Sequence, residues 1–290
     1  MARSALYHFA TFFALFLGLS GFTRAEDNDQ PDQIDEADST SISYSFSGEV
    51  ATVSKYIWRG QRLTDGWSLQ PAATVGIGGF SFNFWSTIDL TAVNEGDALF
   101  LPENPAAPPG DHNGMKGQFS EIDLTFSYAL EAGPASLDMG AIVYTFPNRT
   151  ASLPSTVELY GGASFGDVFL SPGATLYIDV DETGKSGSTG LYFLMDAGHM
   201  FLIGVPKFPV LELSGSLSVV NSGFSQFYYG ISESGFHDAS VSLSAPIILG
   251  EHWSLSPFIT YSALLGEFRD HQFRNPRQAY SPGRYSMKPF

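Results

Sequence analysis

From residue 41 onward the chain alternates apolar and polar residues with a period of two. In the first stretch Ile42, Tyr44, Phe46, Val50, Thr52, Tyr56 and Trp58 share one face, and Ser43, Ser45, Ser47, Glu49, Lys55 and Arg59 share the other. Residues 118–130 repeat it, with Ile122, Leu124, Phe126, Tyr128 and Leu130 against Glu121, Asp123, Thr125 and Ser127. Period two places successive side chains on opposite faces of a strand, so the sheet has one apolar and one polar face. Eleven such segments can be drawn, at 42–59, 67–78, 80–90, 118–130, 135–146, 156–165, 170–180, 190–201, 209–220, 236–247 and 252–265. Most are longer than the five or six residues usual in globular sheets, and suit the 9–11 residues of a tilted membrane-spanning strand.

The connections alternate too. Those at 78–79, 131–134, 166–169 and 248–251 are tight, with 202–208 a looser exception, whereas those at 60–66, 91–117, 147–155, 181–189 and 221–235 are longer. Tight turns at one end and long loops at the other describe an all-β, antiparallel up-and-down transmembrane β-barrel. Closure needs an even strand count, about 12, so a last strand is expected after Glu267. The tail 266–290 is irregular for that purpose. It carries Pro276, Pro282 and Pro289, which cannot donate to a ladder, and the basic residues Arg269, Arg274, Arg277, Arg284 and Lys288 before the terminal Phe290.

The first 25 residues have the form of a secretory signal: Arg3, an apolar core over 5–19 and Thr23-Arg24-Ala25 as a cleavage site. Residues 26–40 are acidic and nearly free of hydrophobes, an expected disordered tether, and 41–290 form the barrel. The expected location is the bacterial outer membrane after signal cleavage. With 14 Lys+Arg against 30 Asp+Glu, the chain is a poor partner for nucleic acid. The absence of Cys excludes thiol catalysis and Cys-based zinc sites.

Aromatic residues collect at two levels. Tyr44, Phe46, Phe80, Phe82, Tyr128, Phe165, Phe201 and Trp253 fall near the short-turn rim, and Tyr56, Trp58 and Trp67 near the long-loop rim. Two such belts mark lipid interfaces, so outer-membrane lipid is an expected partner. Alternation turns Glu49, Asp89, Glu121, Asp123, Asp138, Glu158, Asp179, Asp196, Glu212 and Asp238 inward, opposed by Lys55 and Arg59: a formal lumen charge of 2 − 10 = −8. The expected pore-lining residues are Glu49, Lys55, Arg59, Asp89, Glu121, Asp123, Glu158, Asp179 and Asp238, with Asp89, Glu121, Asp123, Glu158, Asp179 and Asp238 towards the outer end that also holds Arg59. Rings of carboxylates favour cations.

The stretch Ser54-Lys55-Tyr56-Ile57-Trp58-Arg59-Gly60-Gln61, with Asp65-Gly66 and Pro71 beyond it, resembles the start of the TorF-like porin family. So do 121–128 and Val143-Tyr144-Thr145-Phe146-Pro147. The likeness extends to about residue 265, and MipA/OmpV-type barrels are a weaker match. The resemblance implies an outer-membrane barrel and a channel for small solutes or ions, and it carries no catalytic residue. The irregular tail departs from it.

Two readings stay open: a channel with an acidic, cation-preferring lumen, and a non-conducting barrel with a structural or surface-interaction role, contacting partners through loop 91–117. The sequence leaves the oligomeric state open, and no cofactor, metal site or catalytic residue is expected. Past the leader the histidines are His112, His199, His237, His252 and His271, none beside a serine-nucleophile motif; alternation turns His199 and His237 outward. Gly184-Lys185-Ser186 lacks the preceding glycine of a phosphate loop, since position 179 is Asp179. The run from Asp179 lacks the closing glutamate of a calcium loop, since Gly190 stands there.

Overall fold

A computed structural model describes residues 14–21, 43–63, 66–91, 116–147, 155–181 and 189–269. The strands are β1 (Ala14–Gly21), β2 (Tyr44–Val53), β3 (Ile57–Trp58), β4 (Gln61–Arg62), β5 (Ser68–Ile77), β6 (Phe80–Asp89), β7 (Phe119–Ala132) and β8 (Ala135–Thr145). They continue as β9 (Thr156–Ser164), β10 (Gly173–Asp179), β11 (Gly190–Val205), β12 (Phe208–Val220), β13 (Gly235–Ser244), β14 (Ile247–Ile248) and β15 (Trp253–Leu264), with helix α1 (Ser222–Tyr229) between β12 and β13. Thirteen strands form one antiparallel sheet; β14 pairs only alongside β15, so twelve make the ring, and the β1–β15 pairing closes it. The fold is a closed, up-and-down β-barrel.

All eleven segments drawn from alternation are ring strands. The closing strand differs from expectation. It is Ala14–Gly21, which overlaps the end of the leader's apolar core and pairs with β2 on one side and β15 on the other. The physical reason is that a short apolar run is equally compatible with a leader core and a buried strand, and periodicity cannot separate them. Acidic residues 26–40, most of loop 91–117 and the tail from 270 onward lie outside the described residues, as do His112 and His271. The connection expected to be loose at 202–208 is a two-residue turn, because β11 and β12 run on to Val205 and Phe208. At the β5–β6 and β7–β8 turns, Gly78 and Gly133 adopt φ of 58° and 64°, conformations that favour glycine.

The barrel is apolar outside and polar inside. Across β6 and β7, Phe80 stacks on Tyr128 at 4.6 Å and Phe82 on Phe126 at 4.9 Å, all four rings exposed. One residue along each strand the faces swap. Ser81 and Ser127 share a 2.6 Å hydroxyl hydrogen bond, and Asn83 donates to Thr74 at 2.8 Å. Cross-strand pairs of this kind, apolar on one face and hydroxyl on the other, hold the register. Among the described residues no helix is long and apolar enough to cross a membrane, which says nothing of a barrel.

Candidate functional site

The site lies at the long-loop end of the lumen, and a hairpin builds it. After Val53 the chain leaves the ring, and β3 and β4 pair Ile57 with Arg62 and Trp58 with Gln61. Arg59 and Gly60 form the turn at φ of 47° and 74°; a two-residue turn with both φ positive matches the twist of its strands. Glycine is needed at position 60 for a second reason. A Cβ there would lie 2.7 Å from the Asp238 Cβ and 3.0 Å from Leu264, so the tip abuts the far wall. Alternation alone runs the first segment straight to residue 59. The strand breaks at Ser54 instead, and the hairpin folds into the lumen.

Tyr56 and Trp58 are therefore not outer-rim aromatics. Tyr56 is buried and lies 5.5 Å from Trp85, while Trp58 packs on Tyr144 at 6.3 Å and on Tyr228 at 5.2 Å. Alternation fails there because it presumes an unbroken strand. The other rim aromatics, Tyr44, Phe46, Phe80, Phe82, Tyr128, Phe165, Phe201 and Trp253 at the short-turn end and Trp67 at the other, are all exposed.

Arg59 reaches β9, five strands around the ring of twelve from β2. Its Nη1 and Nη2 donate to Oε1 and Oε2 of Glu158, each at 2.7 Å, and the Tyr144 hydroxyl donates to Oε2 at 2.8 Å. The guanidinium carbon lies 4.0 Å from the Tyr192 ring centre, 4.5 Å from Trp58 and 4.9 Å from Tyr177. A bidentate fork stacked on ring faces is the geometry that arginine serves and lysine does not. Burial, the largest single influence, opposes the charge on Arg59, but the charge and hydrogen bonds of Glu158, with Tyr144 and Tyr228, together hold the guanidinium protonated well above its usual range.

Helix α1 packs against the same end. Its N-cap Asn221 accepts from the Phe224 N–H and from the Leu191 N–H, both at 2.9 Å, and Gly230 ends it at φ 68°. Phe224, Tyr228 and Tyr229 pack with Tyr192, Val220, Leu264 and Phe268. His237, expected outward, is fully buried beneath the helix. Its Nδ1 is 2.7 Å from Asp238 Oδ1 and its Nε2 is 2.7 Å from the Tyr229 hydroxyl. The reason is a β-bulge opposite Ser218, where the β12–β13 register shifts and the alternation slips. Asp238 also accepts from Ser218 at 2.5 Å and from Tyr192 at 3.0 Å.

The structure gathers Asp89, Glu121, Glu158, Asp179 and Asp238 at this end, all buried, with Asp123 half-buried beside them. Asp179 accepts from Thr156 at 2.9 Å. Lys55 is half-buried in the hairpin approach, and Glu49 sits half-buried lower on β2. Among the inward acids of the short-turn half, Asp138 and Asp196 are exposed, so that half of the lumen is open to water. Among the described residues no group of three or more His, Asp or Glu is placed to hold a metal ion. Alternation could not foresee the hairpin or the helix. The signals for them were local: Arg59-Gly60 as a turn pair, and Asn221 and Gly230 bracketing the aromatic run 224–229.

No curated protein matches the sequence. Among solved structures, the chain is similar to the OmpF of Salmonella typhi in complex with daunomycin, at 9% identity over 87% of this chain and 96% of that one, with a TM-score of 0.32. It is also similar to a second porin, at 9% identity over 87% and 99% of the two chains, with a TM-score of 0.30. A family model matches residues 36–210, and the chain therefore belongs to the bacterial protein family of unknown function Gcw_chp.

Proposed function

We propose that the protein is an outer-membrane β-barrel channel for small solutes with a cation-preferring lumen, and not an enzyme. One observation carries this reading: the ring exposes Phe46, Val75, Phe126, Leu159 and Val241 on its outside while carboxylates occupy its inside. A soluble protein buries its hydrophobes and exposes its charges, whereas a barrel solvated by lipid does the reverse. The TorF-like resemblance of 54–61 supports the same function, and the leader and the aromatic rims support export to the outer membrane. Conductance steps in planar bilayers, with a reversal potential towards the cation equilibrium, are the expected result. Anion selectivity would remove the cation preference.

A second reading has its own observation. The hairpin and α1 fill the long-loop end, which favours a non-conducting structural barrel. Absence of conductance from refolded barrel would establish it over the first.

Leader cleavage after Ala25 would remove β1 and leave β2 and β15 as facing edges. The residues beyond 269, where the alternation leaves room for a last strand, lie outside the described residues.

A further inference from the structure

We infer that the socket gripping Arg59 is a binding subsite for guanidinium-type organic cations, held at rest by the chain's own side chain. This inference rests on the channel reading for its purpose, because it names the solute class that such a lumen would recognise.

The division of labour between wall and hairpin carries it. Glu158 on β9, Tyr144 on β8, Tyr177 on β10 and Tyr192 on β11 all belong to the barrel wall. Arg59 arrives separately, on a hairpin that enters from beyond β2. Withdrawing the hairpin would leave on the wall a carboxylate shaped for a two-pronged donor, with tyrosine faces around it. The wall groups are fixed without help from Arg59: Tyr144 donates to Glu158, and Tyr192 donates to Asp238. A preorganised carboxylate with aromatic walls recognises a planar cation at little ordering cost.

The socket also has an approach. Tyr160, Tyr177 and Tyr192 are cross-strand neighbours on the lumen face, with ring centres 5.7 Å and 5.9 Å apart in succession. Gly140 stands beside Tyr160 on β8, where a Cβ would lie 2.8 Å from the ring, so the tyrosine lies against bare backbone. The row runs around the wall one inward level below Glu158, on the side of the half of the lumen where Asp138 is exposed. A cation entering there would meet one ring face after another before reaching the socket. Arg59 sits at the first turn position of its hairpin, with φ of 47°, so the β3–β4 turn itself aims the side chain at the wall.

The test uses the full chain with Arg59→Ala and methylguanidinium chloride as probe, against equal sodium chloride. Methylguanidinium is expected to raise the temperature at which the variant loses its compact, unboiled migration by about 2–4 °C, since a ligand that binds only the folded state stabilises it. Wild type, its socket filled, should not shift, and adding Glu158→Gln should abolish the shift. No shift in Arg59→Ala, or an equal shift in the double variant, overturns the inference. If Arg59→Ala assembles poorly, its yield of compact barrel on refolding with methylguanidinium replaces the temperature, and a yield equal to that in sodium overturns it. These readouts need no current. A barrel that binds the probe without conducting sinks the channel reading alone, and a conducting barrel without binding sinks this inference alone.

Discussion

The two halves of the lumen are built from the same alternation and end in opposite states. In the short-turn half the inward residues are mostly Ser and Thr bonded across strands, as in Ser216 to Ser240 at 2.7 Å and Ser242 to Thr260 at 2.8 Å, and Asp138 and Asp196 remain in contact with water. In the long-loop half the carboxylates are buried, and Glu158 is paired with Arg59. The difference teaches that an inward acid is not by itself a pore charge. A carboxylate in water sets a field for passing ions, whereas one locked in a dry ion pair holds a plug in place. The cation preference proposed above should therefore come from the open half.

Breaking the pair should have the largest effect. Arg59→Ala leaves Glu158 buried without its counter-charge, at a cost of about 3–5 kcal/mol. Urea denaturation of the refolded barrel should show that loss, together with a larger single-channel conductance as the hairpin loosens. Unchanged stability and conductance would show that the hairpin does not seal this half. Inside and outside can be contrasted next. Leu159→Arg, on the exposed face of β9, should destabilise the barrel in lipid by about 2–4 kcal/mol if it sits near the bilayer midplane. The same change at Thr74, which faces Ser47 and Asn83 in the lumen, should cost clearly less. Equal costs in a denaturation series would contradict the lipid-facing assignment.

Gly60→Val strains a positive-φ turn and drives a Cβ into Asp238, an expected loss of about 1–3 kcal/mol. Its conductance should move in the direction of Arg59→Ala, by less. The smallest effect sharpens the contrast most. Asp138→Asn with Asp196→Asn should shift the reversal potential toward zero, and Glu158→Gln should shift it less. The shift should shrink as salt shortens the Debye length from about 10 Å at 0.1 M. A larger selectivity change from Glu158→Gln would reverse the roles of the two halves, making the buried pair the source of selectivity.

Alternation determined the strands, their faces and the order of short and long connections, because period two is a local property that each segment carries alone. It placed Phe80 at the short-turn rim and Glu121 inside before any pairing was known, and it named Glu158, Asp179 and Asp238 as inward at one end. Only the tertiary structure decided what met them. The turn at Arg59-Gly60 sends a guanidinium across the lumen to a carboxylate 99 positions later in the chain. A bulge opposite Ser218 turns His237 inward against Tyr229. Ring closure selects Ala14–Gly21 because two free strand edges must be satisfied together. Each of these outcomes depends on groups brought together from distant parts of the chain. No short window holds both Arg59 and Glu158 or both edges of the ring, and Tyr229 and His237, though near in sequence, meet as they do only because β12 pairs with β13.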